Sequence, residues 1–71
     1  MTFMEVLKML RLSSGSPQSS IAQSVGISTT QYQNYEYGKK EPTMKNLIAL
    51  ADYFDVSLDY LVCRSDDPTR H

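Results

Sequence analysis

The chain has 71 residues, 41% of them hydrophobic, and its formal net charge at pH 7 is -1. This length indicates one domain near the lower limit for independent folding. A single cysteine excludes an internal disulfide, and a single cysteine with a single histidine excludes a zinc cluster. The sequence has neither a long apolar run nor a signal peptide, so we expect a cytoplasmic protein with no membrane partner.

Charge is distributed unevenly along the sequence. From residue 8 to residue 45, five basic residues stand against two glutamates, which gives +3. From residue 52 onward, five aspartates stand against two arginines, which gives -3, and Glu5 supplies the remaining -1. This layout predicts a positive face for an anionic partner and a separate acidic face. A random mosaic of charges explains the counts equally well.

The N-terminal part of the sequence predicts two short helices. The first has an apolar stripe at i, i+3, i+4 and i+7, formed by Phe3, Val6, Leu7 and Leu10. It ends at residues 13–15. Ser16 is expected to cap the second helix, with Pro17 at the first helical position, where its missing N–H costs nothing. Gly26 is expected to end this helix in a left-handed conformation.

The rest of the sequence predicts three more helices and no strands. Ser28 opens the third helix and forms a capping box with Gln31, and Gly38 closes the helix. Thr43 caps the fourth helix and Ser57 caps the fifth. Because no segment alternates with a period of two residues, the sequence predicts an all-α protein of five helices.

Helices this short are stable only through shared packing, so a common core must hold them together. Residues 1–63 are expected to form the domain around that core, and residues 64–71 a polar C-terminal tail. The expected core side chains are Phe3, Leu7, Leu10, Ile21, Ala22, Val25, Ile27, Tyr32, Tyr35, Leu47, Ile48, Leu50, Ala51, Phe54, Val56 and Leu61.

Residues 18–37 contain two helices joined by a tight turn, which is the arrangement of a helix-turn-helix. It requires a small Ala22, a positive φ at Gly26 and an inward Tyr32, whose hydroxyl should reach the surface or find a partner. On the outer side of the third helix the sequence places the uncharged polar residues Thr29, Thr30, Gln33, Asn34 and Tyr37. Such groups suit base edges in the major groove. The alternative is an ordinary solvated helix.

Groups suited to phosphate flank this outer side. Gln18 lies in the first turn of the second helix, where free N–H groups can bind an anion. Lys39 and Lys40 follow the third helix, and Lys45 begins the fourth. Tyr37 adds a hydroxyl. Contacts of this kind position a protein on the DNA backbone, although the two loop lysines also fit a purely solubilising role.

Residues 3–63 resemble the Xre-type domain of Cro and of the phage lambda and 434 repressors. The motifs that carry the resemblance are L-x-x-L-R at residues 7–11, Gln18, Ile21-Ala22, Val25–Ser28, Tyr35–Lys39, Glu41–Thr43 and V-S-L-D-Y-L at residues 56–61. The resemblance implies a five-helix, lambda-repressor-like domain. It also implies sequence-specific binding of double-stranded DNA by a small transcriptional regulator, a repressor of a phage, mobile-element or own promoter.

The resemblance also assigns roles to individual residues. The residues expected to read bases are Thr29, Thr30, Gln33 and Asn34. Gln18 and Ser28 are expected near the phosphates, and Gln18 is also expected to brace the first reading residue. Arg11 and Glu36 are expected to form an internal ion pair, which a buried carboxylate requires; two separately solvated side chains are the alternative. Cys63 replaces a common glycine and is expected to lengthen the last helix.

One reading helix covers few base pairs, so a homodimer on a palindromic operator is expected. Leu58, Val62 and Cys63 are its expected interface, and completion of the core is the equal alternative. No catalytic constellation is visible, so neither an enzyme nor a cofactor is expected. The competing hypothesis is an antitoxin or anti-repressor module whose main partner is another protein, bound by the acidic residues 52–67.

Overall fold

The computed structural model describes residues 2–63 and forms five helices, with no strand in that range. The helices are α1 (Phe3–Ser14), α2 (Gln18–Val25), α3 (Thr29–Glu36), α4 (Met44–Phe54) and α5 (Leu58–Leu61). The predicted all-α fold is therefore confirmed. Within residues 2–63, no helix combines the length and apolar character needed to cross a membrane. The expected tail, residues 64–71, lies outside the described residues.

Side-chain hydroxyls cap four of the five helices. In each, the hydroxyl accepts a hydrogen bond from the backbone N–H three residues later, and the capping residues are Thr2, Ser28, Thr43 and Ser57. The predicted capping box between Ser28 and Gln31 is present. These starts are marked by contacts between residues three apart, so the sequence alone indicates where the helices begin.

The start of α2 differs from the prediction. Pro17 is the N-cap, with φ -71° and ψ 158°, and no side chain caps the helix. The Pro17 carbonyl accepts the first helical bonds from the N–H groups of Ser20 and Ile21. Ser16 therefore lies one residue too early to be the cap, and its hydroxyl instead accepts a 3.0 Å hydrogen bond from the Tyr53 hydroxyl.

Left-handed residues end several of the helices. Gly26 has φ 81°, and its N–H donates to the carbonyls of Ala22 and Gln23, which lets α3 leave α2 at a sharp angle. Cys63 also has a positive φ, 67°. The expectation that Cys63 lengthens α5 is wrong, because α5 ends at Leu61 and the left-handed Cys63 turns the chain.

The core lies where the inner sides of all five helices meet. Its buried apolar members are Val6, Leu7, Ile21, Ala22, Tyr32, Tyr35, Leu50, Ala51, Val56 and Leu61. All except Val6 were expected. Ile48 was expected in the core but is 47% exposed, because the buried side of α4 is centred on Leu50 and Ala51 and leaves Ile48 at its edge.

One carboxylate lies inside this core and is paired with a cation. Arg11 Nη2 and Nε donate to the two Glu36 carboxylate oxygens at 2.7 Å and 2.9 Å, so the ion pair implied by the resemblance is present. The side chains of Arg11 and Glu36 are 18% and 2% exposed. Burial alone would raise the pKa of Glu36, but the Arg11 hydrogen bonds, with the nearby Tyr32 hydroxyl, hold it below its ordinary value of 4.5.

Tyr32 is fully buried next to this pair. Its hydroxyl does not reach the surface. It lies instead beside the buried ion pair, where both the Glu36 carboxylate and the Arg11 guanidinium act on its pKa. Burial raises the pKa of Tyr32 well above its ordinary value of 10.0, and the Glu36 carboxylate raises it further.

Replacing Arg11 with methionine keeps an unbranched side chain but removes the cation. Because Glu36 is then buried and unpaired, we expect the free energy of unfolding at pH 7 to fall by about 3 kcal/mol. In the wild type, the lowered pKa of Glu36 gives a stability contribution that is present above pH 4.5 and is lost as the pH falls through the folded-state pKa. In the variant, burial raises this pKa, so stability should increase as the pH falls from 7 toward about 5.

Urea unfolding followed by circular dichroism at the two pH values measures both effects. Lys8→Met is the matched control, because Lys8 is an exposed cation on the same helix. A loss in Arg11→Met no greater than the loss in Lys8→Met, or one that is equal at both pH values, would contradict the role assigned to the ion pair.

Candidate nucleic-acid interface

The site is built on the crossing of α2 and α3. Ala22 is 1% exposed and Tyr32 is fully buried at this crossing, and Gly26 supplies the turn between the helices. The small alanine allows close approach, while the large ring fixes the angle between the helices. As a result, one side of α3 is held against the core and the opposite side faces outward.

The outward side of α3 carries the residues expected to read bases. Thr30 is exposed, and Thr29, Gln33 and Asn34 are half-buried. The carboxylate of α3, on Glu36, points into the core. The outer side therefore offers hydroxyls and amides without a negative charge, which is a suitable surface for the polar edges of base pairs.

A chain of side-chain hydrogen bonds crosses this surface. Gln33 Nε2 donates to Gln18 Oε1 at 3.1 Å, and Gln18 Nε2 donates to the Tyr37 hydroxyl at 3.5 Å. Gln18 was expected to brace the first reading residue, but it contacts Gln33, because the short Thr29 lacks the long amide with which Gln33 spans the gap. The carbonyl oxygen of Gln33 and its second N–H remain available.

The expected phosphate-contacting groups lie around α3. Ser28 is exposed at its start, and the Ser28 hydroxyl oxygen accepts the Gln31 N–H at 3.0 Å while its own O–H stays available. Lys39 and Lys40 are exposed beyond its end. Their backbone N–H groups donate to the Asn34 carbonyl at 2.8 Å and 3.3 Å, which folds the lysine loop back onto α3.

The beginning of α4 adds a third exposed lysine to Lys39 and Lys40. Lys45 is exposed in its first turn, one residue before Asn46. Asn46 Nδ2 donates to the Tyr35 hydroxyl at 2.9 Å and so fixes the start of α4 to α3. The role of Asn46 was not predictable from the sequence, since a hydrogen bond between residues 11 positions apart leaves no spacing pattern.

The residues expected to form a dimer interface are not grouped on one exposed surface. Leu58 and Val62 are half-buried, and Leu58 packs against the core. Cys63 is exposed. Leu58 therefore serves the core in part, which is the alternative that the sequence left open.

Comparison with known proteins places the domain in a family. The family model described as Helix-turn-helix matches residues 7–61. The transcriptional repressor RstR of the cryptic phage CTXphi of Vibrio cholerae is 45% identical over 47 residues, which are 66% of this chain and 42% of that protein. The uncharacterized HTH-type transcriptional regulator YqaE of Bacillus subtilis is 42% identical over 60 residues, which are 84% of this chain and 52% of that protein.

A solved structure agrees with this assignment. The P22 c2 repressor, crystallised in complex with a synthetic operator, superposes with a TM-score of 0.86 at 26% identity, over 92% of this chain and 98% of the repressor chain. The chain spans about half the length of the curated relatives described above.

The hydrogen bond to Gln18 should restrain the Gln33 side chain in the free protein. We expect Gln18→Ala to shift the Gln33 side-chain amide resonances toward solvent-exposed values and to increase their mobility in ¹⁵N relaxation, since the amide loses its acceptor. Gln23→Ala is the matched control, because Gln23 is exposed on the same helix. Equal responses of the Gln33 amide to both substitutions would show that Gln18 does not restrain it.

Proposed function

Because the chain belongs to the helix-turn-helix family, we propose that it binds specific sequences of double-stranded DNA and regulates transcription. The observation that carries the proposal is the outer side of α3, which is uncharged, rich in hydrogen-bonding groups and bordered by three exposed lysines, Lys39, Lys40 and Lys45. In this mode α3 lies in the major groove, and the lysines contact the DNA backbone on either side.

Base reading is assigned to four side chains of α3. The amides of Gln33 and Asn34 can pair with an adenine edge, and Thr29 and Thr30 can offer a hydroxyl or contact a thymine methyl group. Because the two threonines are short, water-mediated and methyl contacts are expected there. Gln33 is the best-oriented reader, since Gln18 already holds its amide.

Phosphate contacts are assigned to Gln18, Ser28, Tyr37, Lys39, Lys40 and Lys45. Gln18 and Tyr37 also belong to the hydrogen-bond chain that ends at Gln33. A phosphate bound by either residue would therefore help to orient a reading side chain. Positioning on the backbone and base recognition would be coupled in this protein.

The proposed functional unit is a homodimer on a palindromic operator in the cytoplasm. A single α3 reads few base pairs, and two copies on half-sites about one DNA turn apart supply the remaining specificity. Repression is the favoured outcome, because RstR and P22 c2 are both named as repressors. The proposal assigns no catalytic step and no cofactor to the chain.

Affinity for DNA should fall steeply with salt, because lysine–phosphate contacts release counterions. Three lysines from each copy of the proposed homodimer make about six phosphate contacts, so we expect roughly a thousandfold loss of affinity between about 50 and 200 mM salt. Gel-shift titration of a duplex selected from random sequence measures this loss. Absent binding, or binding that ignores salt, would favour the alternative in which another protein is the main partner.

Substituting a base-reading residue and substituting a phosphate-contacting residue should have different effects on DNA binding. We expect Asn34→Ala to change the preference at one base position by about 1–3 kcal/mol. Lys40→Ala should instead weaken binding to all sequences alike and lower the salt slope by about 1 for each bound copy, or about 2 for the proposed homodimer. Binding selections and salt titrations on both variants test this distinction, and identical behaviour of the two variants would rule out the assignment of roles.

A further inference from the structure

A recess of ≈ 370 Å³ lies between the start of α1, the loop from α3 to α4, and the end of α5. The apolar side chains in its lining include Phe3, Met4, Leu47 and Val62. Met4 packs directly on Gly38, where a Cβ would collide with the methionine side chain. At about 30 Å³ for each water molecule, the recess has room for about a dozen non-hydrogen atoms, which is the scale of a small-molecule site. We call it the α1–loop recess.

One buried hydrogen-bond donor at the α1–loop recess has no acceptor. Tyr35 lines the recess and is 5% exposed, and its hydroxyl oxygen accepts a hydrogen bond from Asn46 Nδ2 at 2.9 Å. Within residues 2–63 the Tyr35 O–H donates to no protein group. A hydroxyl that accepts one bond still has its own hydrogen to donate. Because an unused buried donor is costly, a ligand that presents an acceptor oxygen to it would be stabilised.

Two neighbouring residues bring opposite charges to the same recess. Lys40 and Glu41 both line it, both are exposed, and neither forms an ion pair within the described part of the chain. A simple anion would be attracted by Lys40 but repelled by Glu41, and a simple cation would meet the reverse. A molecule that carries both charges close together matches the two residues. The recess therefore favours a zwitterion over an ion of a single sign.

We propose that the α1–loop recess binds a free α-amino acid with a large apolar side chain. In this arrangement the carboxylate lies between the Lys40 ammonium and the Tyr35 O–H, and the ligand ammonium faces Glu41. The apolar side chain packs against Phe3 and Leu47, away from water. Leucine and phenylalanine have the size that the recess holds. The charged pair and the apolar lining are thus both used by one class of molecule.

Occupancy of the recess would act on the DNA contact assigned to Lys40. This consequence, unlike the binding itself, rests on the proposed function. A carboxylate that pairs with Lys40 takes this cation away from the phosphate. The amino acid and DNA then compete for one side chain, so each lowers the affinity of the protein for the other. The ligand would therefore act as an inducer that favours release from DNA.

Titration of the ¹⁵N-labelled protein with L-phenylalanine, and separately with L-leucine, tests the binding site. We expect saturable shifts of the backbone amide resonances of Phe3, Gly38 and Leu47, with a dissociation constant on the order of 1 mM. The resonances of Gln23 and Asp59, which do not line the recess, should stay in place. No saturable shift with either amino acid, or shifts centred elsewhere on the domain, would overturn the proposal.

A second test addresses the ammonium group of the ligand. N-acetyl-L-phenylalanine keeps the ring and the carboxylate but has no ammonium, so it should bind the wild type about tenfold more weakly than L-phenylalanine. In Glu41→Gln the two ligands should bind alike. Asp59→Asn is the matched control, because Asp59 is an exposed carboxylate outside the recess, and it should keep the wild-type preference. Equal binding of both ligands to the wild type, or an unchanged preference in Glu41→Gln, would refute the ligand class.

Gel-shift titration with saturating L-phenylalanine separates this inference from the proposed function. The zwitterion has no net charge, so it does not raise the ionic strength. We expect the affinity for a selected duplex to fall and the salt slope to decrease by about 1 for each bound copy, since one phosphate contact is lost. In Lys40→Ala, L-phenylalanine should change neither quantity. Unchanged DNA affinity of the wild type with its recess filled would overturn the inducer role. A protein that binds the amino acid but no DNA would retain the site and lose the proposed function.

Discussion

The position of α3 depends on the buried ion pair between Arg11 and Glu36. A carboxylate that is 2% exposed is tolerated only where a cation reaches it, and here two guanidinium nitrogens do so from α1. A buried pair adds little net stability compared with apolar side chains of similar size. It does penalise alternative packings, since a rotated or shifted α3 would leave the charge unpaired. Tyr32 is fully buried beside the pair, so a shift of α3 would also disturb the packing of its ring.

A fixed position of α3 allows the side-chain hydrogen bonds that link Gln33, Gln18 and Tyr37 on its outer side. Gln18 and Gln33 come from different helices, and their 3.1 Å hydrogen bond requires α2 and α3 to keep a constant crossing angle. Side-chain amides lose conformational freedom when they bind, and restraining one beforehand reduces that cost. The proposed reading surface therefore combines a restrained amide at Gln33 with the exposed hydroxyl of Thr30. If α3 reads bases as proposed, specificity should be concentrated at Gln33.

Local features of the fold were predictable from the sequence, and contacts between distant side chains were less so. The cap at Ser57 and the turn at Gly26 depend on residues a few positions apart, so their patterns are readable. Ile48 was placed wrongly because its apolar stripe is wider than the part of α4 that five helices can bury, and spacing alone does not say which edge stays exposed. The bond between Gln18 and Gln33 joins residues 15 positions apart, and no periodicity encodes it.

The link between α3 and α4 connects the proposed reading surface to a proposed phosphate contact. The 2.9 Å hydrogen bond from Asn46 to the Tyr35 hydroxyl fastens the first turn of α4 to a buried residue of α3. Lys45 is exposed and lies one residue before Asn46. The distance between the outer side of α3 and the backbone of Lys45 is therefore set by short, rigid contacts and not by a flexible linker. If Lys45 contacts a phosphate as proposed, that contact would fix how α3 sits in the major groove, since a shifted α3 would lose it.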